Sequence, residues 1–543
     1  MATIKLHETV ARSLVDSGVE RLFGLMGDAN LTYIAAYLDL DSGRYIGAVH
    51  ESGAVSMADG YARMSDKLGV ATITHGPGTT NALTALTEAV RTRTPLLLLT
   101  GETPRVRGHL QALDLRAAAQ LTGADYHLVH SARTAVDDIA IAMRTIYATR
   151  RPGVLNVPPE LLDEPVEYRP SVFRSPGFGR QAAGPDEDVL DAAVGVIASA
   201  ERPIILAGRG VVQSGARDDV LALSEQLDAP LATTVMAKDL FRGHPLDLGL
   251  FGVEAHPLAL TYLSRADCVI VLGAGLNRYT TVGGDLLRDK AVVHCDTDVS
   301  VLGGHPGSTV SVLADARTFA RAVRRCLTEL GPPPARRWTG SVRAELAGFT
   351  PETQFRDRSS ATLIDMRTAM VALDQVLPAE RTLVTDIGRF RGAPWRFLHC
   401  RPGGFSHSAS FGSIGLGLAT AIGASVADPD HVTVAAVGDG GLMMGLMELN
   451  TAVQERLPLV VAVLNDGSYG AEFRRLTAHG HDPSYSLRPW PSFAAVAKAL
   501  GARSATIRTV DDIRELKSTF ENLRTPFLLD IKADPALSAG DWE

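Results

Sequence analysis

His431 to Phe473 reads HVTVAAVGDGGLMMGLMELNTAVQERLPLVVAVLNDGSYGAEF, and its pattern decides the fold class. Val432 to Val437 and Leu459 to Leu464 are short apolar runs rich in valine, as expected of strands covered on both faces of a parallel sheet. Between them Leu442, Leu446, Leu449, Val453 and Leu457 step by three or four, like one face of an amphipathic helix. A strand, a Gly-Asp-Gly-Gly turn, a helix and a second strand closing on Asn-Asp-Gly make a βαβ unit. Its crossover returns both strand ends to one edge.

Asp439 and Asp466 then face a single crevice. Two carboxylates, the close-approach glycines Gly438, Gly440 and Gly441, and the positive end of a helix are parts that hold a magnesium diphosphate. Taken singly, Gly-Asp-Gly and Asn-Asp-Gly are ordinary turns, so the reading rests on their pairing. The pair resembles the thiamine diphosphate signature, in which GDG is followed at this spacing by Asn-Asn. The resemblance implies thiamine diphosphate as cofactor and Mg²⁺ held by Asp439, Asp466 and the backbone carbonyl of Ser468. It also implies Tyr469 and Gly470 beside the glycines around the cofactor. Position 466 is Asp where the family more often has Asn, which changes charge more than ligand geometry.

The 543 residues, 45% of them apolar, are enough for about three or four domains with sizeable cores. A net charge of −8, with no basic block and no aromatic-basic interleaving, gives no footprint for nucleic acid. The opening MATIKLHETVARSL has no apolar core of signal-peptide length, and no stretch is long enough to span a membrane, so a cytoplasmic protein is expected. Cys268, Cys295, Cys326 and Cys400 lie far apart with no CxxC spacing and are expected as reduced thiols.

In residues 1–165, apolar runs ending at Val49, Ile73 and Leu99 alternate with helical segments, the mark of another parallel α/β layer. HESGAVSMADGYAR starts where one run ends, which puts Glu51 at a strand's C-terminal edge. With HGPGTTN at His75 to Asn81, this phrase resembles the pyrimidine-binding domain of acetolactate synthase and its relatives. That resemblance gives Glu51 a bond to N1′ of the aminopyrimidine, favouring the imino form that takes the proton from thiazolium C2. Asp28 in GDANL is similar to a proton-handling Asp of pyruvate decarboxylase, and His75 stands where benzoylformate decarboxylase carries an active-site His. Gln111 in HLQALD resembles the Gln of acetolactate synthase; the adjacent His pair of pyruvate decarboxylases is missing there. Each also has a plain structural reading: a dipole-stabilising Glu, a turn Asp, a His closing a strand.

Pro165 to Pro185, rich in Pro, Gly and Arg, reads as a linker to a central domain over 185–330. Some relatives bind FAD in that domain, so FAD stays open, although Gly208, Gly210 and Gly215 do not spell GxGxxG. A second linker is expected at Gly331 to Pro334 and the RRW after it. In the last domain, 355–543, TDIGRF resembles the first diphosphate-contacting turn, with Gly388 permitting close approach. SFGSIGLGLATAIG resembles the stretch that bends the cofactor: Ile414 as the apolar wedge, and the Gly412 carbonyl accepting from the 4′-amino group. Glu472 in SYGAEF is similar to the catalytic Glu of pyruvate decarboxylase.

The expectation is three consecutive α/β domains with mainly parallel sheets, in the order pyrimidine-binding, central and diphosphate-binding. The implied activity is decarboxylation of a 2-oxo acid with transfer of the acyl carbanion equivalent to a carbonyl acceptor, by a homodimer or homotetramer. Simple decarboxylation to an aldehyde is the alternative. A non-catalytic binding protein on the same fold is the alternative of another class, and an NAD-linked dehydrogenase is disfavoured by the missing GxGxxG.

Overall fold

The computed structural model describes residues 2–40, 43–104, 106, 108–174, 182–303, 307–331, 338 and 341–537. The chain forms two compact units: Met1–Arg180 with Arg358–Arg391 and Ser406–Ala539, and Gln181–Asp357 with Gly392–Phe405 and Gly540–Glu543.

The N-terminal sheet of the first unit comprises strands β1 (Arg21–Gly24), β2 (Arg44–Gly47), β3 (Gly69–Thr72), β4 (Leu96–Thr100), β5 (Asp125–Leu128) and β6 (Gly153–Asn156). They lie in the order β2-β1-β3-β4-β6-β5, with parallel ladders throughout. Helix α1 (Glu51–Ser65) follows β2, and α2 (Pro77–Arg91) follows β3. Strands β3, β4 and β6 are buried at every residue, which is why they read as unbroken apolar runs. Ala2–Lys5 pairs antiparallel with Pro165–Tyr168, so the start of the stretch expected as a linker is a strand tied back to the N-terminus. Most of the second expected linker lies outside the described residues.

The second unit holds the central sheet: β7 (Pro203–Ala207), β8 (Leu231–Thr233), β9 (Asp247–Leu250), β10 (Cys268–Leu272), β11 (Ala291–Asp296) and β12 (Val310–Leu313), preceded by α3 (Glu187–Ser199). Its parallel order, β9-β8-β7-β10-β11-β12, places a topological switch point between β7 and β10.

The C-terminal sheet returns to the first unit. It comprises β13 (Arg381–Thr385), β14 (Phe405–His407), β15 (Val432–Gly438), β16 (Leu459–Asn465), β17 (Arg503–Ile507) and β18 (Phe527–Lys532). Parallel ladders join β13-β15-β16-β18-β17, with β14 on the edge beside β13. This is the strand order of the N-terminal sheet repeated. Helix α4 (Gly417–Ala427) follows β14; α5 (Asp439–Gly445) and α6 (Glu448–Gln454) follow β15; α7 (Gly470–Ala478) follows β16. The single helix expected over Leu442 to Leu457 is therefore two. The first ends at Gly445, where a Cβ would lie 2.6 Å from the Gly415 carbonyl oxygen.

The topologically equivalent helices α1 and α4 pack against each other. A Cβ on Gly60 would strike the Thr420 carbonyl group, and one on Gly423 the Met57 carbonyl group. Around this seam Ala54, Met57, Ala58, Leu418, Ala419 and Ile422 belong to one core cluster that spans both sheets. Cys268, Cys295 and Cys400 are buried free thiols and Cys326 is a half-buried one. Among the described residues no helix is long and apolar enough to cross a membrane.

Candidate active site

The ladder that sets Gly438 opposite Leu464 brings Asp439 and Asp466 to neighbouring positions at one sheet edge. One Asp439 carboxylate oxygen accepts from Gly440 N–H (2.7 Å), and the other from Gly467 N–H (2.7 Å) across the crevice. Asp466 accepts from the backbone N–H and the hydroxyl of Ser468, at 2.9 and 2.8 Å. Burial, and then the charge of Asp466, push the Asp439 carboxyl up to about 7; burial also raises Asp466. Among the described residues no Lys, Arg or His forms an ion pair with either group. Two desolvated carboxylates that repel each other and lack a counter-charge suit a divalent cation, so the donor set fits Mg²⁺. No group of three His, Cys, Asp or Glu that could hold a metal occurs among the described residues, so remaining ligands would be backbone, water or phosphate oxygens.

The glycines around this edge are required chiefly by the protein's own atoms. A Cβ on Gly440 would lie 2.6 Å from the Tyr469 ring, one on Gly388 2.7 Å from the Phe390 ring, and one on Gly438 3.0 Å from that same ring. A Cβ on Gly441 would meet Asp386 at 2.5 Å, and one on Gly470 would meet Asp466 at 3.2 Å. Tyr469 caps α7, and its ring packs edge-on against Trp490.

Asp386, buried beyond the end of β13, organises the loop that carries Gly412 and Ile414. It accepts from Ser408 Oγ (3.0 Å), Gly415 N–H (2.8 Å) and Ile387 N–H (2.8 Å), and burial pushes its carboxyl up to about 6. Gly412 has φ +93°, with open space where a Cβ would stand, and Ile414 is half-buried.

Glu51 is the first residue of α1, after the N-cap His50, and is 8% exposed. Its Oε2 accepts from Asn81 Nδ2 at 3.0 Å, so a residue of HGPGTTN fixes its orientation. His75 and Gln111, expected as separate candidates, meet: Gln111 Oε1 accepts from His75 Nε2 at 2.8 Å. That bond leaves Nδ1 of a ring only 3% exposed without a hydrogen-bond partner among the described residues. His109 packs edge-on against the same ring. Asp28 and Glu472 are both exposed, and among the described residues neither side chain makes a hydrogen bond or ion pair.

Three regions match family models described as the thiamine pyrophosphate enzyme N-terminal TPP binding domain (4–120), central domain (190–323) and C-terminal TPP binding domain (386–531). The chain belongs to the thiamine pyrophosphate enzyme family. It is 30% identical to a sulfoacetaldehyde acetyltransferase of Alcaligenes xylosoxydans, covering 93% of this chain and 88% of that one. It is 28% identical to a probable acetolactate synthase large subunit of Methanocaldococcus jannaschii, covering 98% and 92%. A putative acetolactate synthase large subunit of Mycobacterium tuberculosis is 29% identical over 97% of both chains. Against this family background, the residues that sequence reasoning missed are Asn81, His109, Asp386 and two buried glutamates, Glu88 and Glu448. Asn81 and Asp386 lie inside phrases already singled out, HGPGTTN and TDIGRF, and a polar side chain in such a phrase was the available signal.

Proposed function

We propose that this thiamine diphosphate-dependent enzyme uses Mg²⁺ to decarboxylate a 2-oxo acid and passes the acyl carbanion equivalent to a carbonyl acceptor. The observation that carries the transfer half is the His75–Gln111 pair. When bound, thiamine diphosphate supplies the electron sink for loss of CO₂. Asp439 and Asp466 hold the cation, with the Ser468 carbonyl as third protein ligand. Glu51, oriented by Asn81, exchanges a proton with N1′ of the aminopyrimidine. The Gly412 carbonyl would accept from the 4′-amino group and Ile414 would be the apolar wedge against the bound cofactor.

The hydrogen bond from His75 Nε2 orients the Gln111 carboxamide, so that the two side chains act together on the incoming carbonyl acceptor. Acetolactate synthases and acetyltransferases among the relatives are consistent with transfer. Asp28 and Glu472 are candidate acids that would release an aldehyde as a side product. We further propose a homodimer or homotetramer in which a second copy completes each site.

The central domain fits a dinucleotide poorly. At its switch point the amides of Gly208, Gly210 and Val211, placed to cradle a phosphate, donate to Leu272, Gly273 and Gly208 carbonyls at 2.8, 3.0 and 3.0 Å.

The test is the product ratio from a panel of 2-oxo acids with thiamine diphosphate and Mg²⁺, with and without an added aldehyde or ketone. Ligated product should dominate with acceptor present, and Glu472→Gln should suppress free aldehyde. Aldehyde alone, undiminished by acceptor, would overturn the transferase reading; no turnover with any member of the panel would favour a binding protein.

A further inference from the structure

The two outer sheets share one strand order, and in each the helical segment after the third strand carries a buried glutamate whose carboxylate leaves its own domain. Glu88 on α2 is 2% exposed, and its two oxygens each take one backbone N–H: Oε1 from Ser410 at 3.0 Å, Oε2 from Phe411. Those residues immediately precede Gly412 and Ile414. Glu448, the first residue of α6, is also 2% exposed. Its Oε1 accepts from Val49 N–H (3.2 Å) and His50 N–H (3.0 Å), while Oε2 accepts from Val49 N–H (3.2 Å) and Thr451 Oγ1 (3.0 Å). Val49 and His50 immediately precede Glu51.

Each carboxylate therefore sits on the loop after the second strand of the opposite sheet. Gly53 makes room for one of them: a Cβ there would overlap the Glu448 carboxylate. Glu88 is accompanied by Arg63, whose guanidinium stands 3.7 Å away and also donates to the carbonyl of His407, the last residue of β14 before that loop. Burial raises the carboxyls of both glutamates, and the amide bonds on each offset part of that cost.

We propose that Glu88 and Glu448 are reciprocal positioning residues, each domain lending one carboxylate that fixes the loop bearing the other domain's cofactor contact. Glu448 sets the start of α1 and hence Glu51; Glu88 sets Gly412 and Ile414. This rests on the functional reading of those three residues. Charge-assisted bonds to consecutive amides hold the backbone itself, and a misplacement of about 1 Å at a reacting group can cost about 10²-fold in rate.

The geometry makes the two sites respond differently to glutamine. At position 448 a single oxygen serves both loop amides, so Gln can keep the main contact. At position 88 each oxygen serves one amide, so Gln must turn its NH₂ against an N–H.

Amide hydrogen exchange on the cofactor-free full chain tests the clasps directly. Glu448→Ala should speed exchange at Val49 and His50 by about tenfold or more and leave Ser410 and Phe411 unchanged, and Glu88→Ala the reverse. Glu448→Gln should stay close to wild type, whereas Glu88→Gln should resemble Glu88→Ala. With thiamine diphosphate and Mg²⁺ added, Glu448→Ala should slow proton exchange at C2 by about tenfold or more with little change in cofactor affinity, while Glu88→Ala should weaken that affinity. Wild-type loop exchange in both alanine variants overturns the proposal, as does faster exchange spread over the whole first unit. Loosened loops with wild-type C2 exchange and affinity overturn it equally. Failure of the wild-type chain to bind thiamine diphosphate would instead sink the functional reading and leave the exchange pattern standing.

Discussion

Replacing Gly60 by alanine puts one methyl group into the seam between α1 and α4, and the structure gives the sign of the result. The new Cβ would stand 2.8 Å from the Thr420 carbonyl carbon and closer still to its oxygen, against at least 3.4 Å for an ordinary contact. Both sides of this contact are helix backbone, so neither can swing aside as a side chain could. The closer oxygen sets the displacement, so the helices must part by more than about 1 Å, and core residues along the seam such as Met57, Ala419 and Ile422 lose contact together. Overpacking of this kind costs about 1–3 kcal/mol. Against it stands the gain of about 1 kcal/mol when alanine replaces glycine inside a helix.

Gly195→Ala in α3 isolates that gain, because a Cβ there meets nothing within 4 Å. Thermal unfolding of the cofactor-free protein should therefore show opposite signs. Gly195→Ala should raise the midpoint of its transition and Gly60→Ala should lower its own, at about 2–4 °C per kcal/mol for domains of this size. A Gly60→Ala midpoint at or above wild type would refute the argument that backbone contact dictates glycine there.

Asp439→Ala should abolish retention of thiamine diphosphate and Mg²⁺ with the fold kept; unchanged affinity in equilibrium dialysis would sink the metal assignment. Glu51→Gln should bind cofactor yet slow C2 proton exchange, by about 10² to 10⁴-fold if the carboxylate is the general acid-base group, and exchange at the wild-type rate by NMR would count against it. Asp386, with its carboxyl raised from 3.8 to about 6 by burial, binds its proton more tightly in the folded chain than in the unfolded one. The stability this contributes is complete below the unfolded value and is lost as pH rises through about 6. Asp386→Asn, which cannot titrate, should flatten the fall in unfolding midpoint across that window; parallel profiles for variant and wild type would exclude the assignment.

The strands were legible because burial on both faces leaves valine-rich runs, as in β15 and β16. Asp439 and Asp466 were legible because one βαβ unit sets both beside the same edge. The division of Leu442 to Leu457 into two helices was not: the apolar spacing continues through Leu446, and Leu446 and Met447 between the two helices keep helical φ and ψ. Glu88 and Glu448 look locally like solvated helix residues. Their burial depends on backbone amides more than three hundred positions away, and no periodicity within a helix reports that. Pro165–Tyr168 failed for the same reason, since its composition suits a linker and its pairing partner is at the N-terminus.

The glycine seam also constrains how the polypeptide reaches its native state during synthesis. Gly60 and Thr420 are 360 positions apart, so the apolar flank of α1 leaves the ribosome long before the surface that covers it exists. At about 5–20 residues per second the nascent N-terminal sheet waits roughly 20–70 s with that flank bare. Meanwhile the whole central sheet is translated and can fold on its own core. Through that interval the Met57, Gly60 and Ala54 flank is the natural target for a chaperone or for misassociation between neighbouring nascent chains.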